Sequence, residues 1–365
     1  MAQPRKEKAK PGAKPVVFVT GASGLVGFHL VKLLGDQGHR VVAMVRTSSN
    51  SAPLFDYLAA GNADITVVTS DLAEQPRLVS YMRGCDVVVH TAACIDPHGD
   101  PNSLQTINVE GTRSVLKAAI AAGVNQFIHI SSLSVIMGEV DCYGITEKEP
   151  LRQCREAYAN SKVAAERLVM DPRVTKLIHV TALRPGFIYG PNEKTWLPKL
   201  IYNMRAGTAM LVGDGTKETN LIYVENLCRA IALTINKPVA FGQVYNLTDG
   251  ELVTKRQLFD VICDQLEIPH VKLAISMPMA RMLVNMSTAI ARIAPPKLKG
   301  RLALFSRPAL RLVGLNQGFD ISKAERDLGY TDRIPFAEGM SKTLRSYSTA
   351  TKSGATATPE MAAVK

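Results

Sequence analysis

Three residues near the middle of the chain could together move a proton at neutral pH. Tyr158 and Lys162 are four residues apart in the predicted helix 157–170, so both side chains point to the same side of it. The Lys162 ammonium would stabilise the Tyr158 phenolate and lower the pKa of the tyrosine from its usual value near 10. Ser132 follows a predicted strand and could hydrogen-bond the reacting oxygen. The alternatives are a surface tyrosine beside a solvated lysine, and a serine that only caps a turn.

A glycine-rich turn near the start of the chain could bind a pyrophosphate. A β-rich run, residues 16–20, precedes the turn, and an amphipathic helical pattern follows it. Glycine lets the main chain approach the anion, and the first turn of the helix presents free N–H groups to it. We expect Gly21 to make the turn, Gly24 the close approach and Gly27 the contact between helix and strand. The alternative is a plain tight turn. The expected contacts are Gly21, Ser23, Gly24, Leu25 and Gly27.

The residue that follows the second predicted strand favours NADP over NAD. Sheets that bind NAD place an acidic residue there, whereas an arginine accommodates the 2′-phosphate of NADP. Arg46 takes this position, with hydroxyl side chains and no acid after it. The alternative is that Arg46 only stacks on the adenine and that the cofactor is NAD. The other expected cofactor contacts are Asp71, Leu72, Thr91, Ala92, Ala93, Tyr158, Lys162 and Pro185.

The order of predicted strands and helices indicates how these residues are brought together. Six predicted strands alternate with helical patterns such as 104–122 and 157–170; the strands are 16–20, 41–45, 65–68, 86–90, 127–131 and 177–183. This alternation predicts an α/β fold, a Rossmann-type doubly wound parallel sheet whose carboxyl ends gather the residues above. After Pro185 the regular alternation ends, and the predicted elements are a helix at 224–235, a strand at 243–247 and a helix opened by a capping box at Thr254 and Gln257.

These patterns predict four parts. They are a basic disordered tail (1–15), a dinucleotide-binding domain (16–190), a smaller and partly interleaved substrate cap (191–345) and a disordered tail (346–365).

The positive charge of the chain is concentrated in two segments. The net charge is +11: residues 1–15 carry +4 and residues 268–319, which have no acidic residue, carry +8, so the rest of the chain is close to neutral. Apolar neighbours and few aromatic residues argue against nucleic acid as the partner of these cations. In the predicted helix 274–294, Arg281, Asn285, Thr288 and Arg292 share one face, which would suit an anionic membrane surface. The alternative is a helix that covers the substrate cleft.

The cysteines and the apolar runs of the sequence indicate the cellular compartment of the protein. Six cysteines without a CxxC pair argue against a disulfide framework and a metal site, and for a reducing compartment. The first residues do not form a signal peptide, and no apolar run is long enough to span a membrane. We therefore expect a cytoplasmic protein, with a peripheral membrane contact through 268–319 as the open question.

Taken in their order along residues 16–191, these motifs resemble an extended short-chain dehydrogenase/reductase of the NAD-dependent epimerase/dehydratase superfamily. The matching parts are the glycine turn and residues 71–72, 90–93, 108–112, 131–132, 158–162 and 184–191. The resemblance implies that Tyr158 is the general acid/base, that Lys162 and Ser132 assist it, and that hydride moves between the substrate and the nicotinamide. It also implies a homodimer through a four-helix contact.

The stretch 319–330 resembles the closing motif of 3β-hydroxysteroid and sterol-4α-carboxylate dehydrogenases. This implies a lipid-like substrate that reacts at the 3-position of a sterol, with loss of a 4-carboxyl group as CO2 where one is present. Those relatives usually carry an acid where Arg46 stands. The alternatives are a reductase similar to the dihydroflavonol reductases, a nucleotide-sugar epimerase or dehydratase, and a non-catalytic nucleotide sensor.

Overall fold

A seven-stranded parallel sheet forms the centre of the protein. The computed structural model describes residues 14–61, 63–95, 100–291 and 306–352 of the 365-residue chain. The strands of the sheet are β1 (Val17–Thr20), β2 (Val41–Val45), β3 (Ile65–Thr69), β4 (Val87–His90), β5 (Gln126–Ile130), β7 (His179–Pro185) and β11 (Gln243–Leu247). Their order is β11-β7-β5-β4-β1-β2-β3, and all neighbours are parallel. The direction of winding reverses between β1 and β4, where ligands bind in such sheets. The predicted doubly wound fold is confirmed.

Helices connect the strands and cover both faces of the sheet. The longer helices are α1 (Leu25–Asp36), α2 (Ala52–Ala60), α3 (Gln75–Met82), α5 (Gly111–Ala121), α7 (Ala157–Val169), α9 (Leu197–Arg205), α10 (Val224–Thr234), α11 (Lys255–Leu266), α12 (Met277–Ala291), α13 (Arg307–Gly314), α14 (Ser322–Leu328) and α15 (Phe336–Lys352). The single-turn helices are α4 (Pro101–Leu104), α6 (Ser134–Met137) and α8 (Pro172–Thr175). A π-helix spans Gln105–Glu110 and a 3-10 turn spans Pro238–Ala240.

The strand side chains divide the apolar core into two layers. Val17 and Val19 of β1 are buried in a cluster that includes residues of α1 and α10. Phe18, between them, is buried in a second cluster with residues of α3 and α5. This alternation follows from the period of two in a strand, and it explains why β1 is apolar throughout rather than every second residue.

Three small parallel pairs of strands build the region beyond the main sheet. They are β8 (Phe187–Tyr189) with β10 (Leu221–Tyr223), β9 (Leu211–Val212) with β12 (Ala274–Ile275), and β6 (Cys142–Ile145) with β13 (Gln317–Phe319). The β6–β13 pair ties the last third of the chain to the loop after β5. Conversely, β11 lies beyond residue 190 yet forms an edge of the main sheet beside β7.

The structure differs from the sequence-based prediction at three helices. The predicted helix 104–122 is interrupted by the π-helix, and the predicted helix 274–294 starts only at Met277, after β12. Residues 292–294 lie outside the described residues. The helix α15 continues to Lys352, beyond residue 346 where we predicted a disordered tail. The capping box of α11 is present as predicted, with the Thr254 and Gln257 side chains bonding to each other's main chain. Most of both predicted tails, residues 1–13 and 353–365, lies outside the described residues.

Candidate active site

The glycine turn lies where β1 and β4 end side by side. Gly21 has φ +67°, and a Cβ atom there would lie 2.9 Å from the main chain of Ala92. A Cβ atom at Gly27 would lie 2.1 Å from the carbonyl oxygen of Gly21, so helix α1 can approach the turn only with glycine there. The helix has no acidic residue in its first turn and no side-chain cap at Gly24. Its first N–H groups are therefore open to an anion.

A buried histidine holds the ends of the two central strands together. His90 Nδ1 lies 2.9 Å from Thr20 Oγ1, and its Nε2 lies 2.9 Å from Thr112 Oγ1. Because Thr112 donates its own hydrogen to the Asn108 carbonyl, His90 must donate from Nε2 and accept at Nδ1. Burial and the nearby charge of Lys162 lower the pKa of His90 to about 3. The imidazole is therefore neutral and structural.

The π-helix places an asparagine that sequence reasoning gave no role. The Asn108 amide donates to the Cys94 carbonyl at 2.9 Å and to Ser161 Oγ at 2.9 Å, while its oxygen accepts from the Cys94 N–H at 2.7 Å. Ser161 in turn donates to the Tyr158 carbonyl at 2.7 Å. Asn108 thus fixes the loop after β4 to the first turn of α7. Single π-turns inside helices often mark functional sites, but the sequence carries no clear signal for them.

The three predicted catalytic residues meet at the carboxyl end of β5. Lys162 is buried and donates from Nζ to the carbonyl of Ile130, the last residue of β5, at 2.6 Å. Ser132, two residues further on, hydrogen-bonds with Tyr158. Tyr158 and Lys162 therefore contact the same short segment from neighbouring turns of α7, as their spacing predicts.

The pKa of Tyr158 differs from the expectation. Lys162 was expected to lower it, but burial raises the pKa of Tyr158 to about 12. The Ser132 hydrogen bond and the charge of Arg311 oppose this rise without cancelling it. Burial also lowers the pKa of Lys162 to about 8, against the opposing charge of Glu166. The physical reason is that transferring the phenolate from water into the protein costs more free energy than Ser132 and Arg311 contribute to stabilising it.

A buried ion pair one turn further along α7 anchors the helix. Arg184 on β7 binds Glu166 through Nη2 at 2.5 Å and through Nε at 3.0 and 3.1 Å, and Ser131 Oγ donates to Glu166 at 2.5 Å. Both members of the pair are almost fully buried. Ser131 therefore belongs to the scaffold, while its neighbour Ser132 faces the site. Sequence reasoning missed Glu166, although it lies four residues after Lys162 on the same face.

The remaining predicted cofactor contacts lie in the same order along the sheet. Arg46 is exposed after β2, and Asp71 is exposed after β3. The Leu72 side chain is buried under α5 against Gly111, so any contact it makes with a ligand would come from its main chain. Thr91 bonds the Thr20 carbonyl at 2.6 Å. Ala92 and Ala93 follow β4, Ser23 and Leu25 flank the turn before α1, and Pro185 ends β7.

The spacing of these positions matches one elongated ligand. From β2 to β5 there are three strand spacings, roughly 14 Å. Arg46 stands at one end, the glycine turn lies between, and Ser132, Tyr158 and Lys162 stand at the other end. The site could therefore hold a dinucleotide with its reactive ring beside Tyr158, whose hydroxyl could donate a proton.

A doubly wound sheet with this glycine turn and this tyrosine–lysine helix defines an NAD-dependent dehydrogenase or reductase. A model of the NAD dependent epimerase/dehydratase family matches residues 17–248, and the chain belongs to that family. Within it, the chain is 28% identical to a 2-alkyl-3-oxoalkanoate reductase of Shewanella oneidensis, over 89% of this chain and 84% of that protein.

Two further comparisons show the breadth of the family. The chain is 29% identical to a 3beta-hydroxysteroid-dehydrogenase/decarboxylase of Arabidopsis thaliana, over 90% of this chain and 79% of that protein. It also resembles a solved dTDP-glucose 4,6-dehydratase of Streptomyces venezuelae with NAD bound, with a TM-score of 0.72 and 25% identity over 91% of this chain and 96% of that one. The family and the names of its members indicate an enzyme, and they leave the substrate open.

Proposed function

We propose that this protein interconverts a secondary alcohol and a ketone at the 3-position of an apolar lipid, a sterol or a related molecule. The observation that carries the proposal is the meeting of Ser132, Tyr158 and Lys162 at the end of β5, beside the glycine turn. The relatives from Shewanella and Arabidopsis support a ketone and a secondary alcohol of a lipid as the reacting groups, because one name specifies a 3-oxo group and the other a 3β-hydroxyl group.

The residues at the strand ends suit a nicotinamide dinucleotide. Gly21, Gly24 and Gly27 would hold the pyrophosphate against the open end of α1, and Lys162 would hold the nicotinamide ribose. The bound cofactor supplies or accepts the hydride.

This chain's own residues move the proton. With a pKa of about 12, Tyr158 is protonated at neutral pH and is ready to donate its proton to a ketone oxygen during reduction. Ser132 orients that oxygen through its own hydroxyl. In the oxidative direction Tyr158 must first lose its proton, so the electrostatics of the free site favour reduction.

The direct test offers 3-oxo and 3-hydroxy steroids with NADPH, NADH and the oxidised cofactors. Absorbance at 340 nm follows turnover, and mass spectrometry detects the gain or loss of two hydrogens, or the loss of CO2 from a 4-carboxysterol. We expect turnover of at least one 3-oxo lipid. Conversion of a nucleotide sugar without turnover of any such lipid would overturn the proposal.

NADP is the proposed cofactor because Arg46 stands exposed at the end of β2. Its guanidinium would pair with the 2′-phosphate, and an aspartate there would repel it. The substitution Arg46→Asp should therefore reverse the preference. The matched control is Arg40→Asp, an identical charge change at the exposed residue before the opposite end of the same strand. Tighter binding of NAD than of NADP by the unsubstituted protein would contradict the assignment.

We also propose a peripheral contact with anionic membranes through α12. In the part of the chain that the structure describes, no helix is long and apolar enough to cross a membrane. Along α12 one face is nevertheless apolar and between 41% and 53% exposed. This face consists of Met279, Met282, Met286 and Ile290. Two basic residues of the 268–319 segment, Arg307 and Arg311, are held in ion pairs, and several others lie outside the described residues.

The membrane contact is tested by sedimentation with vesicles of phosphatidylcholine and phosphatidylserine. Met286→Asp should release the protein from the vesicles, because the aspartate lies on the apolar face. Thr288→Asp makes the same change in charge on the polar side of the helix and should release much less protein from the vesicles. Recovery of the unsubstituted protein in the supernatant at low salt would contradict this part of the proposal.

A further inference from the structure

A cavity of about 380 Å³ that the proposed chemistry does not use is lined by Glu156, two residues before Tyr158 in the chain. It lies between the two residues that precede α7 and the helices α12 and α13. Its lining combines four arginines and two glutamates with apolar side chains. The charged residues are Arg155, Arg281, Arg307, Arg311, Glu139 and Glu156.

Arg311 is the central cation of this cavity. The residue is only 5% exposed, and its Nη2 lies 2.7 Å from Oε1 of Glu156, the residue that precedes α7. Its Nε is buried and has no hydrogen-bond partner among the described residues. Its charge acts on Tyr158, since it lowers the pKa of that residue. A buried guanidinium N–H without a partner costs free energy unless a ligand accepts from it.

The positive charge of the cavity is in excess. Glu156 pairs with Arg311, and Glu139 pairs with Arg307 at 2.8 Å. Arg155 and Arg281 form no ion pair within the described residues, so two positive charges remain for a ligand. Desolvation raises the pKa of Glu156, and the charge of Arg311 opposes that rise.

We propose that this cavity binds a carboxylate of the substrate, with Arg311 as the residue that selects it. This inference rests on the proposed function and adds the substrate class, a 3-hydroxy or 3-oxo acid whose acid group lies close to the reacting carbon. The remaining wall, with Val140, Val284, Leu310 and Leu315, suits the hydrocarbon part. A single carboxylate fits Arg311 best, because guanidinium N–H groups match the two oxygens of a carboxylate.

The test compares a 2-alkyl-3-oxo acid with its methyl ester, two substrates that differ in charge and by one methyl group. The unsubstituted protein should reduce the acid with a kcat/KM at least tenfold above that of the ester. The double variant Arg311→Met/Glu156→Gln removes both buried charges together, which avoids leaving one of them unpaired. It should lower the ratio of kcat/KM for the acid to kcat/KM for the ester toward one, mainly by raising the KM of the acid. A slower reaction of both substrates alike, with an unchanged ratio, would show that Arg311 acts only through Tyr158 and would contradict its role in selecting the acid.

A second variant and a control make the test independent of folding. Arg281→Gln removes an exposed cation from the cavity rim and should raise the KM of the acid alone. Arg167→Gln replaces an exposed arginine near the end of α7 and should change kcat/KM for neither substrate. Equal kcat/KM for acid and ester in the unsubstituted protein would overturn the inference while leaving the proposed function intact. Competition by a nucleoside diphosphate, without any preference for the acid, would also overturn it. Turnover of neither substrate nor of any 3-oxo steroid would instead reject the proposed function.

Discussion

Burial moves the pKa values of Tyr158 and Lys162 apart, in opposite directions from their ordinary values near 10. The pKa of Tyr158 rises to about 12 and that of Lys162 falls to about 8, because each neutral form is favoured away from water. At pH 7 the site therefore holds a neutral phenol and a charged ammonium. This is the pairing that a ketone reductase needs in its resting state.

The pH dependence of reduction should follow the lysine. Since the ammonium form of Lys162 is lost above its pKa, kcat/KM for the reduced cofactor should fall as the pH rises through about 8. Tyr158 stays protonated over this range and adds no second decline. Steady-state kinetics between pH 6 and 10 measure the profile, and Lys162→Met should give a low, nearly flat one. A flat profile in the unsubstituted protein would show that the lysine charge is not required.

At the scale of elements, the turn between β1 and α1 is the least tolerant part of the site. Gly27 has no room for a side chain, because the carbonyl oxygen of Gly21 occupies the place of a Cβ atom. Helix α1, its open first turn and the strand end of β4 all depend on this approach.

Gly27→Ala should therefore weaken cofactor binding at least tenfold and destabilise the fold by about 1–3 kcal/mol, the usual cost of overpacking. Cofactor titration by fluorescence and urea unfolding measure the two effects. Gly61→Ala at the end of α2 is the matched control, since the nearest atom to its Cβ would lie at an ordinary 3.8 Å. Unchanged cofactor affinity in Gly27→Ala would show that the glycine turn does not bind the cofactor.

The same elements show what the sequence could and could not predict. The seven strands of the main sheet were predicted to within about two residues, because strands buried on both faces are recognisable as apolar runs, whereas the short strands of the three small pairs were not predicted. The shared face of Tyr158 and Lys162 follows from helical spacing alone. The partners Glu166–Arg184 and Glu156–Arg311 could not be predicted, because residues distant in the chain meet only through the tertiary fold. The count of basic residues in 268–319 likewise could not reveal that Arg307 and Arg311 are paired.

At the scale of the whole molecule, two stacked histidines lie buried beneath the site. The rings of His90 and His129 are 6.0 Å apart, and burial lowers the pKa of each. A histidine whose folded pKa lies below its unfolded value of 6.5 stabilises the fold above pH 6.5. That contribution is lost progressively as the pH falls from 6.5 toward about 3, the pKa of folded His90.

The protein should consequently become easier to unfold between pH 7 and pH 5. The urea midpoint at each pH measures this slope. His90→Asn should reduce the slope even though it lowers the stability at pH 7 by removing the bonds to Thr20 and Thr112. His179→Gln, at an exposed site, should keep the full slope. An unaltered slope in His90→Asn would assign the acid sensitivity to other groups.

The most direct test of the account is the removal of one oxygen atom. Tyr158→Phe should lower kcat for ketone reduction by about 10²- to 10⁴-fold, the usual contribution of a general acid, while the dissociation constant of NADPH stays within about twofold. Tyr202→Phe, which alters an exposed tyrosine on α9, should change neither quantity. If Tyr158→Phe reduced its ketone at the unsubstituted rate, the proton would come from another group, and the assignment of this site would be wrong.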